Sequence, residues 1–257
     1  MFQYVMLPVA GFLIGLFVIT MGGGGGAFYV GILTGLFNIP PAIAASTSLA
    51  TMIPTTAAGA FSHWKAGNVS IKYGLYMLAG GAAGAIAGSL CSGLLPQNIY
   101  AKLSGLIMIA LSVQMLFQMI RKKNKNTGEE GQLAPGRTHI IKALLYGAAG
   151  GAMSGLVGLS GSGPIIVGLA VLGCGVLEIV GTSVLVLLGV STAGFFMHLK
   201  LGDIDWPLVG LLLAGTTSGA VLGPMLLKRI NKNKLEKALK PVLFLLTLGM
   251  GLLLTFK

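Results

Sequence analysis

Seven long apolar runs dominate this chain, at residues 42–62, 73–95, 103–120, 140–158, 177–197, 206–227 and 241–256. A hydrocarbon layer of about 30 Å takes about 20 apolar residues of helix to cross, and runs of this kind have few other places to go. Inside lipid every backbone N–H and C=O must find a partner within the protein, so each run is predicted to be a helix. Charge agrees with that reading. Only 9% of the 257 residues are charged, against roughly a quarter in a soluble domain. Too little charged surface remains to cover a water-soluble core. A soluble enzyme, a nucleic-acid binder and a disordered chain are all excluded on this ground.

The net charge of +11 reports topology. Six of the 17 Lys and Arg residues lie in 121–142 and six in 228–240, both between apolar runs. Cytoplasmic loops carry that excess. The N-terminal MFQYVMLPV has no Lys or Arg before its apolar run, so it lacks the charged start of a signal peptide. Cys91 and Cys174 sit in apolar stretches, so neither a disulfide framework nor a metal pair is expected.

Two segments depart from the pattern of long runs. Residues 4–20 lead into Gly22, Gly23, Gly24, Gly25 and Gly26, followed by a brief apolar run at 27–37. After 140–158 comes Ser160, Gly161, Ser162, Gly163 and Pro164, then another brief run at 165–176. Both read as hydrophobic segments broken by glycine.

The breaks fall at matching places in an internal duplication. Adding 135 carries Thr47 and Ser48 onto Thr182 and Ser183, His63 onto His198, and Lys65 onto Lys200. Gly80, Gly84 and Gly88 fall on Gly215, Gly219 and Gly223. Upstream the offset is 137, which sets Gly24, Gly26, Val30 and Gly31 on Gly161, Gly163, Val167 and Gly168. The chain therefore divides into a first repeat at 1–120, a cytoplasmic linker at 121–139 and a second repeat at 140–257.

Homologous loops carry opposite charge bias. Loop 96–102 has one Lys, Lys102, where its counterpart 228–240 has six basic residues. Conversely, 63–72 holds Lys65 and Lys72, while 198–205 sets Lys200 against Asp203 and Asp205. Such pairs belong on opposite faces of the membrane, which requires inverted topology. The expected fold is an all-α polytopic membrane protein of two inverted repeats. Each has about three full spans plus a glycine-broken pair, which either spans or is re-entrant. With 121–139 and 228–240 inside, both termini lie outside.

Paired broken segments in inverted halves point to a transport site near the midplane. The runs after each break present helix N-termini, each equivalent to about half a positive charge. Gly22 to Gly26, with Ser160, Gly161, Ser162 and Gly163, would let a small oxyanion approach the free N–H groups. Ser46, Thr47, Ser48, Thr182 and Ser183 add hydroxyl donors without a fixed charge. In lipid, hydroxyls also commonly bond their own helix carbonyls. His63, Lys65, His198 and Lys200 mark the ends of matched spans. They read as mouth residues that attract anions, or as interfacial anchors beside Trp64 and Trp206.

The Gly80, Gly84, Gly88 spacing and its repeat form a packing seam, either between helices or between protomers of a homodimer. Glu178 is the only acidic residue within an apolar stretch, and no P-loop is present. No catalytic grouping, metal set or cofactor motif emerges, so the expected partners are a small anion and the bilayer, with no nucleic acid.

Together, the glycine-rich stretches, Gly181-Thr182-Ser183 with its partner Ser46-Thr47-Ser48, "HWKAGNV" at 63–69 and "HLKLGDIDW" at 198–206 resemble the TauE/SafE family. The resemblance covers both repeats. It implies an inner-membrane permease for sulfite, for sulfonates such as sulfoacetate, or for related sulfur compounds; the broken segments in inverted halves predict, on their own account, alternating access around the midplane site. An anion channel, or a permease for a different small anion, is the alternative. The second break, where Ser160, Ser162 and Pro164 interleave with glycine, departs from the family's usual pattern. Thiol labelling of single cysteines placed across 96–102 should occur only from outside the cell. Labelling from the cytoplasm would overturn the inverted orientation.

Overall fold

A computed structural model describes residues 2–21, 23–35, 37–121, 136–199 and 204–227, with residues 241, 244–245, 247–249 and 251–256 of the C-terminal stretch. Gly22, Lys200, Gly202, Asp203, residues 122–135 of the linker and the basic loop 228–240 lie outside the described residues. The order of helices is α1 (Phe2–Met21), α2 (Gly26–Gly35), α3 (Pro41–Lys65), α4 (Ile71–Ser92) and α5 (Gln97–Arg121). Then follow α6 (Arg137–Val157), α7 (Ser162–Val171), α8 (Val176–His198) and α9 (Trp206–Leu227).

Helix lengths follow from the apolar runs, extended by polar ends that still suit a helix. Among the described residues, α4, α6 and α8 are each long and apolar enough to cross a membrane. α3 and α5 reach 25 residues because His63, Trp64 and Lys65 continue α3 past its apolar run, and residues 97–102 begin α5 ahead of its own. α1 is longer than its run suggests, at 20 residues, which gives about 30 Å of helix. Of the helices α1 to α9, α2 and α7 are short, at 10 residues each. The protein is thus a multi-pass helical membrane protein.

Glu178 stands in the first turn of α8, where its carboxylate accepts the Gly175 N–H at 3.4 Å. A negative charge there complements the positive end of the helix. Asp205 caps α9 in the same sense, accepting the Leu208 N–H at 3.1 Å. The one acidic residue of the apolar stretches is accounted for by its helix end.

The elements of the two halves interlock. α1 runs along α9, α4 along α6, and α3 along α8. Glycine makes the first two pairings possible. A Cβ on Gly80, Gly84 or Gly88 would collide with the carbonyl of Leu144, Ala148 or Ala152 on α6. Gly147, Gly151 and Gly155 press in the same way on Met77, Gly81 and Ala85 of α4. The contacts advance together along both helices, so α4 and α6 run parallel. α1 and α9 repeat the arrangement, with Gly215 against Pro8 and Gly219 against Phe12. The seam foreseen from the spacing therefore joins helices of different halves within one chain.

α3 and α8 cross in the opposite sense. Ser46 meets His198, Leu49 meets Gly194, and His63 meets Gly181. They run antiparallel, so His63 and His198 lie at opposite ends of the bundle. Two hydrogen bonds tie this pair to the loops ahead of α4 and α9. Thr182 Oγ1 accepts the Ser70 N–H at 2.8 Å, and Thr47 Oγ1 accepts the Asp205 N–H at 3.3 Å. Donor and acceptor are both displaced by 135 residues between the two bonds.

Two clusters of buried side chains fill the interior. One gathers around Tyr29, Leu33, Met52, Met108 and Leu212, the other around Met77, Ile165, Leu187 and Val190. Trp64 and Trp206 are exposed near helix ends, as interfacial aromatics should be. Because the seams admit no side chain, Gly84→Leu or Gly151→Leu should lower the unfolding temperature in detergent, losing about 1–3 kcal/mol to overpacking. Gly210→Leu on α9, where a Cβ meets nothing within 4 Å, should leave it unchanged. Equal melting of all three variants would contradict the backbone-contact account of the seams.

Candidate functional site

Both helix breaks are built by glycines in conformations that other residues avoid. Gly25 has φ +79°, and α2 begins directly after it, with the Phe28 and Tyr29 N–H groups returning to its carbonyl. Gly158 ends α6 with φ +68°, its N–H donating to the Ser154 carbonyl at 2.8 Å. Gly161, with φ +59°, precedes α7, and no side chain caps that helix start. Such positive φ values fall to glycine because it has no Cβ. Pro164 lies in the first turn of α7, where its missing N–H costs nothing.

α7 turns back along α6. Gly161 abuts Gly150 and Gly168 abuts Tyr146, so the two helices form an antiparallel hairpin with the break at its tip. α2 likewise leaves its own break, and its far end at Thr34 borders a cavity of about 380 Å³ with Asn38, Asn98 and Lys102.

The two breaks touch. A Cβ on Gly26 would stand 2.7 Å from the Ser160 nitrogen and 2.8 Å from the Gly158 oxygen. One on Gly24 would lie 3.0 Å from Ser160 Cβ and 3.5 Å from Leu187. Ser48 sits between them. Its hydroxyl donates to the Gly158 carbonyl at 3.0 Å and lies 3.4 Å from the Gly26 carbonyl. The Ser160 and Ser162 hydroxyls are 3.0 Å apart. Gly24, Gly25, Gly26, Ser48, Ser160, Gly161 and Gly163 are all buried. The break ahead of α2 thus meets the break ahead of α7 beside Ser48 of α3 and Leu187 of α8, and the described residues gathered there are hydroxyls and backbone with no fixed charge among them.

Not every residue expected at the site is gathered there. Thr47 and Thr182 spend their hydroxyl oxygens on the loop N–H groups described above, and Ser183 donates to the Val180 carbonyl at 2.9 Å. Ser46 lies 3.1 Å from the Ala42 carbonyl and 3.3 Å from His198 Nδ1. His198 Nε2 is 2.8 Å from the Gly155 carbonyl. A carbonyl can only accept, so Nε2 carries a proton. Only 2% of His198 is exposed, which makes it a buried tie between α3, α6 and α8 rather than an open mouth. His63 is half-buried beside Gly181. Lys65 is exposed, with its ammonium 4.4 Å from the Phe61 ring centre. Lys200 and Gly22 fall outside the described residues.

Other polar groups join the site unannounced. A Cβ on Gly163 would meet Gln114 Oε1 at 2.7 Å, which brings α5 to the start of α7. Gln114 is an amide in the apolar run 103–120, a signal visible in the sequence. Tyr29 is buried, and its ring and hydroxyl press on Gly25. Next to it, Thr55 of α3 and Thr216 of α9 share a hydrogen bond of 3.1 Å.

Comparison with known proteins agrees with this architecture. The family model described as "Sulfite exporter TauE/SafE" matches residues 7–253. The chain is 31% identical over 247 residues to "Probable membrane transporter protein YdhB" of Bacillus subtilis (strain 168), covering 95% of this chain and 97% of that protein. It is 24% identical over 261 residues to "Probable membrane transporter protein YunE" of the same organism, covering 95% and 96%. "Probable membrane transporter protein ORF9" of Sinorhizobium sp is also 24% identical, over 247 residues, covering 96% and 90%. No solved structure gives a significant match. With a family model spanning nearly its whole length and relatives matched end to end, the chain belongs to the TauE/SafE family of membrane transporters.

Proposed function

We propose that this protein is a secondary transporter of the inner (plasma) membrane, exporting a small sulfur-containing anion such as sulfite or an organosulfonate. The observation that carries this reading is the meeting of the α2 and α7 N-termini at Ser48, Ser160 and Ser162. The first N–H groups of a helix have no partner within it. Two such ends, with serine hydroxyls beside them, bind negative charge without burying a lysine or arginine. The family description supplies the sulfite class. The relatives' names supply transport alone.

The way the halves are joined supports alternating access as the mechanism. The glycine seams make α1–α9 and α4–α6 stiff pairs, each with one helix from each half. The breaks lie between these pairs and are the part of the interior free of regular helix hydrogen bonds. Rocking of one pair against the other would open the meeting point to either side in turn. The antiparallel course of the matched helices α3 and α8 supports the inverted arrangement. With the basic segments 121–139 and 228–240 inside, both termini face outward. An inside-negative potential contributes about 2.3 kcal/mol per charge per 100 mV, which drives anions out without a coupling ion.

Purified protein in liposomes should show counterflow of labelled sulfite, accumulating label above equilibrium, with sulfate, thiosulfate, taurine and sulfoacetate competing to different degrees. Flux without counterflow would mean a channel, and no flux of any of these anions would remove the sulfur-anion reading. Gly23 offers a clean test of the site. A Cβ there meets only Ser162 Oγ, at 3.9 Å, so Gly23→Leu should fit the backbone and fill the space beside Ser162. Transport should be lost with the unfolding temperature kept; wild-type transport by this variant would contradict the site assignment.

A further inference from the structure

The halves differ at one point where the repeat predicts likeness. Thr55 of α3 meets Thr216 of α9 through a hydrogen bond of 3.1 Å. Shifting Thr55 by 135 gives Val190 of α8, and Thr216 is itself the shifted Gly81 of α4. Val190 and Gly81 also meet, since a Cβ on Gly81 would lie 2.6 Å from Val190 Cγ2. The same crossing is therefore filled by two hydroxyls in one copy and by a valine against a glycine in the other. Packing alone is satisfied by the apolar version.

Tyr29 carries the asymmetry into the break. At the offset of 137 that aligns the breaks, its counterpart is Ile166. Tyr29 stands in the first turn of α2, and helical side chains lean toward the helix N-terminus. Its hydroxyl accordingly reaches back to Gly25, 2.9 Å from where a Cβ would stand. The residue is fully buried, at 0% exposure. The hydroxyl faces the Thr55 and Thr216 side chains, which hold it in place, but neither closes a hydrogen bond of full distance and angle with it. A buried polar group without a partner destabilises the fold. Here the cost falls on a group aimed at the end of a broken helix.

We propose that the Tyr29 hydroxyl, positioned by the Thr55–Thr216 pair, is a hydrogen-bond donor to an oxyanion held at the N-terminus of α2. The inference rests on the anion-site reading above and deepens it. The first half binds the oxyanion through a phenol and the α2 N–H groups, and the second through Ser160, Ser162 and the start of α7. The site is therefore asymmetric although the helices around it repeat. A phenol donates one proton and carries no charge, so it adds one directional hydrogen bond to a single ligand atom. Thr55 and Thr216 act through Tyr29 and are positioning residues.

The test uses the full-length protein in liposomes, with Tyr29→Phe, Thr216→Val and wild type compared in counterflow of labelled sulfite, sulfate, thiosulfate and sulfoacetate. Tyr29→Phe keeps the ring and removes only the hydroxyl. Its half-saturation for the anions carried should rise on the order of tenfold or more, with maximal rate and unfolding temperature close to wild type. Thr216→Val should raise it by less. A Tyr29→Phe protein with wild-type half-saturation overturns the inference and leaves the anion site standing. A Tyr29→Phe loss that appears only as a lowered unfolding temperature overturns it too, since the hydroxyl would then be structural. If wild type itself carries none of these anions, both readings fall together.

Discussion

Inside a bilayer, a peptide group that loses its helical partner has no water to turn to. That constraint governs the whole molecule. A helix can be broken at membrane depth only where other parts of the protein close around the break, and this chain breaks two helices. Each break is closed by the other. The Gly158 carbonyl left at the end of α6 takes the Ser48 hydroxyl from the first half, while Gly26 packs on the Ser160 backbone of the second. Neither break is tolerable alone, which explains why they occupy the same place in the fold and why small residues surround them.

Glycine serves two distinct physical ends here. At Gly25, Gly158 and Gly161 it supplies positive φ. At Gly80, Gly84, Gly147 and Gly151 the backbone is ordinary helix, and what matters is the missing Cβ that lets another helix lie against it. Lipid tails are as apolar as leucine, so burying a leucine between two helices gains little in a membrane. Close backbone contact gains dispersion instead. The large hydrophobic side chains are free to face outward, as Leu75, Leu90, Leu145 and Phe196 do.

Much of this was legible in the sequence because lipid narrows the choices. Length and apolarity locate the long helices, and the two glycine-rich interruptions locate the breaks. The His, Lys and Thr-Ser matches at one offset expose the duplication. What escaped is partnership. Thr47 and Thr182 were read as site donors from their position after each break, and the sequence did not announce that their hydroxyl oxygens also accept loop N–H groups 158 and 112 positions away. His198 was read at a mouth because it ends a span, and it turns out buried. Linear pattern says which depth a residue occupies; it does not say which neighbour stands at that depth. Tyr29, Thr55 and Thr216 were missed for the same reason, since they come together only when α9 of the second half lies beside α3 of the first.

The interlocking of the halves also bears on how the protein is made. α1 leaves the ribosome with a glycine face, Gly11 and Gly15, shaped to fit Leu212 and Thr216, and seven helices separate it from its partner α9 along the chain. α4 waits similarly for α6, and the Ser70 N–H for Thr182. Throughout most of synthesis the first half therefore stands in the membrane with its tightest surfaces unpaired and its break unclosed. Contacts this distant in sequence are slow to form. During that interval the exposed glycine faces are open to any helix that can approach as closely, so the insertion machinery must keep neighbours away until the second half arrives.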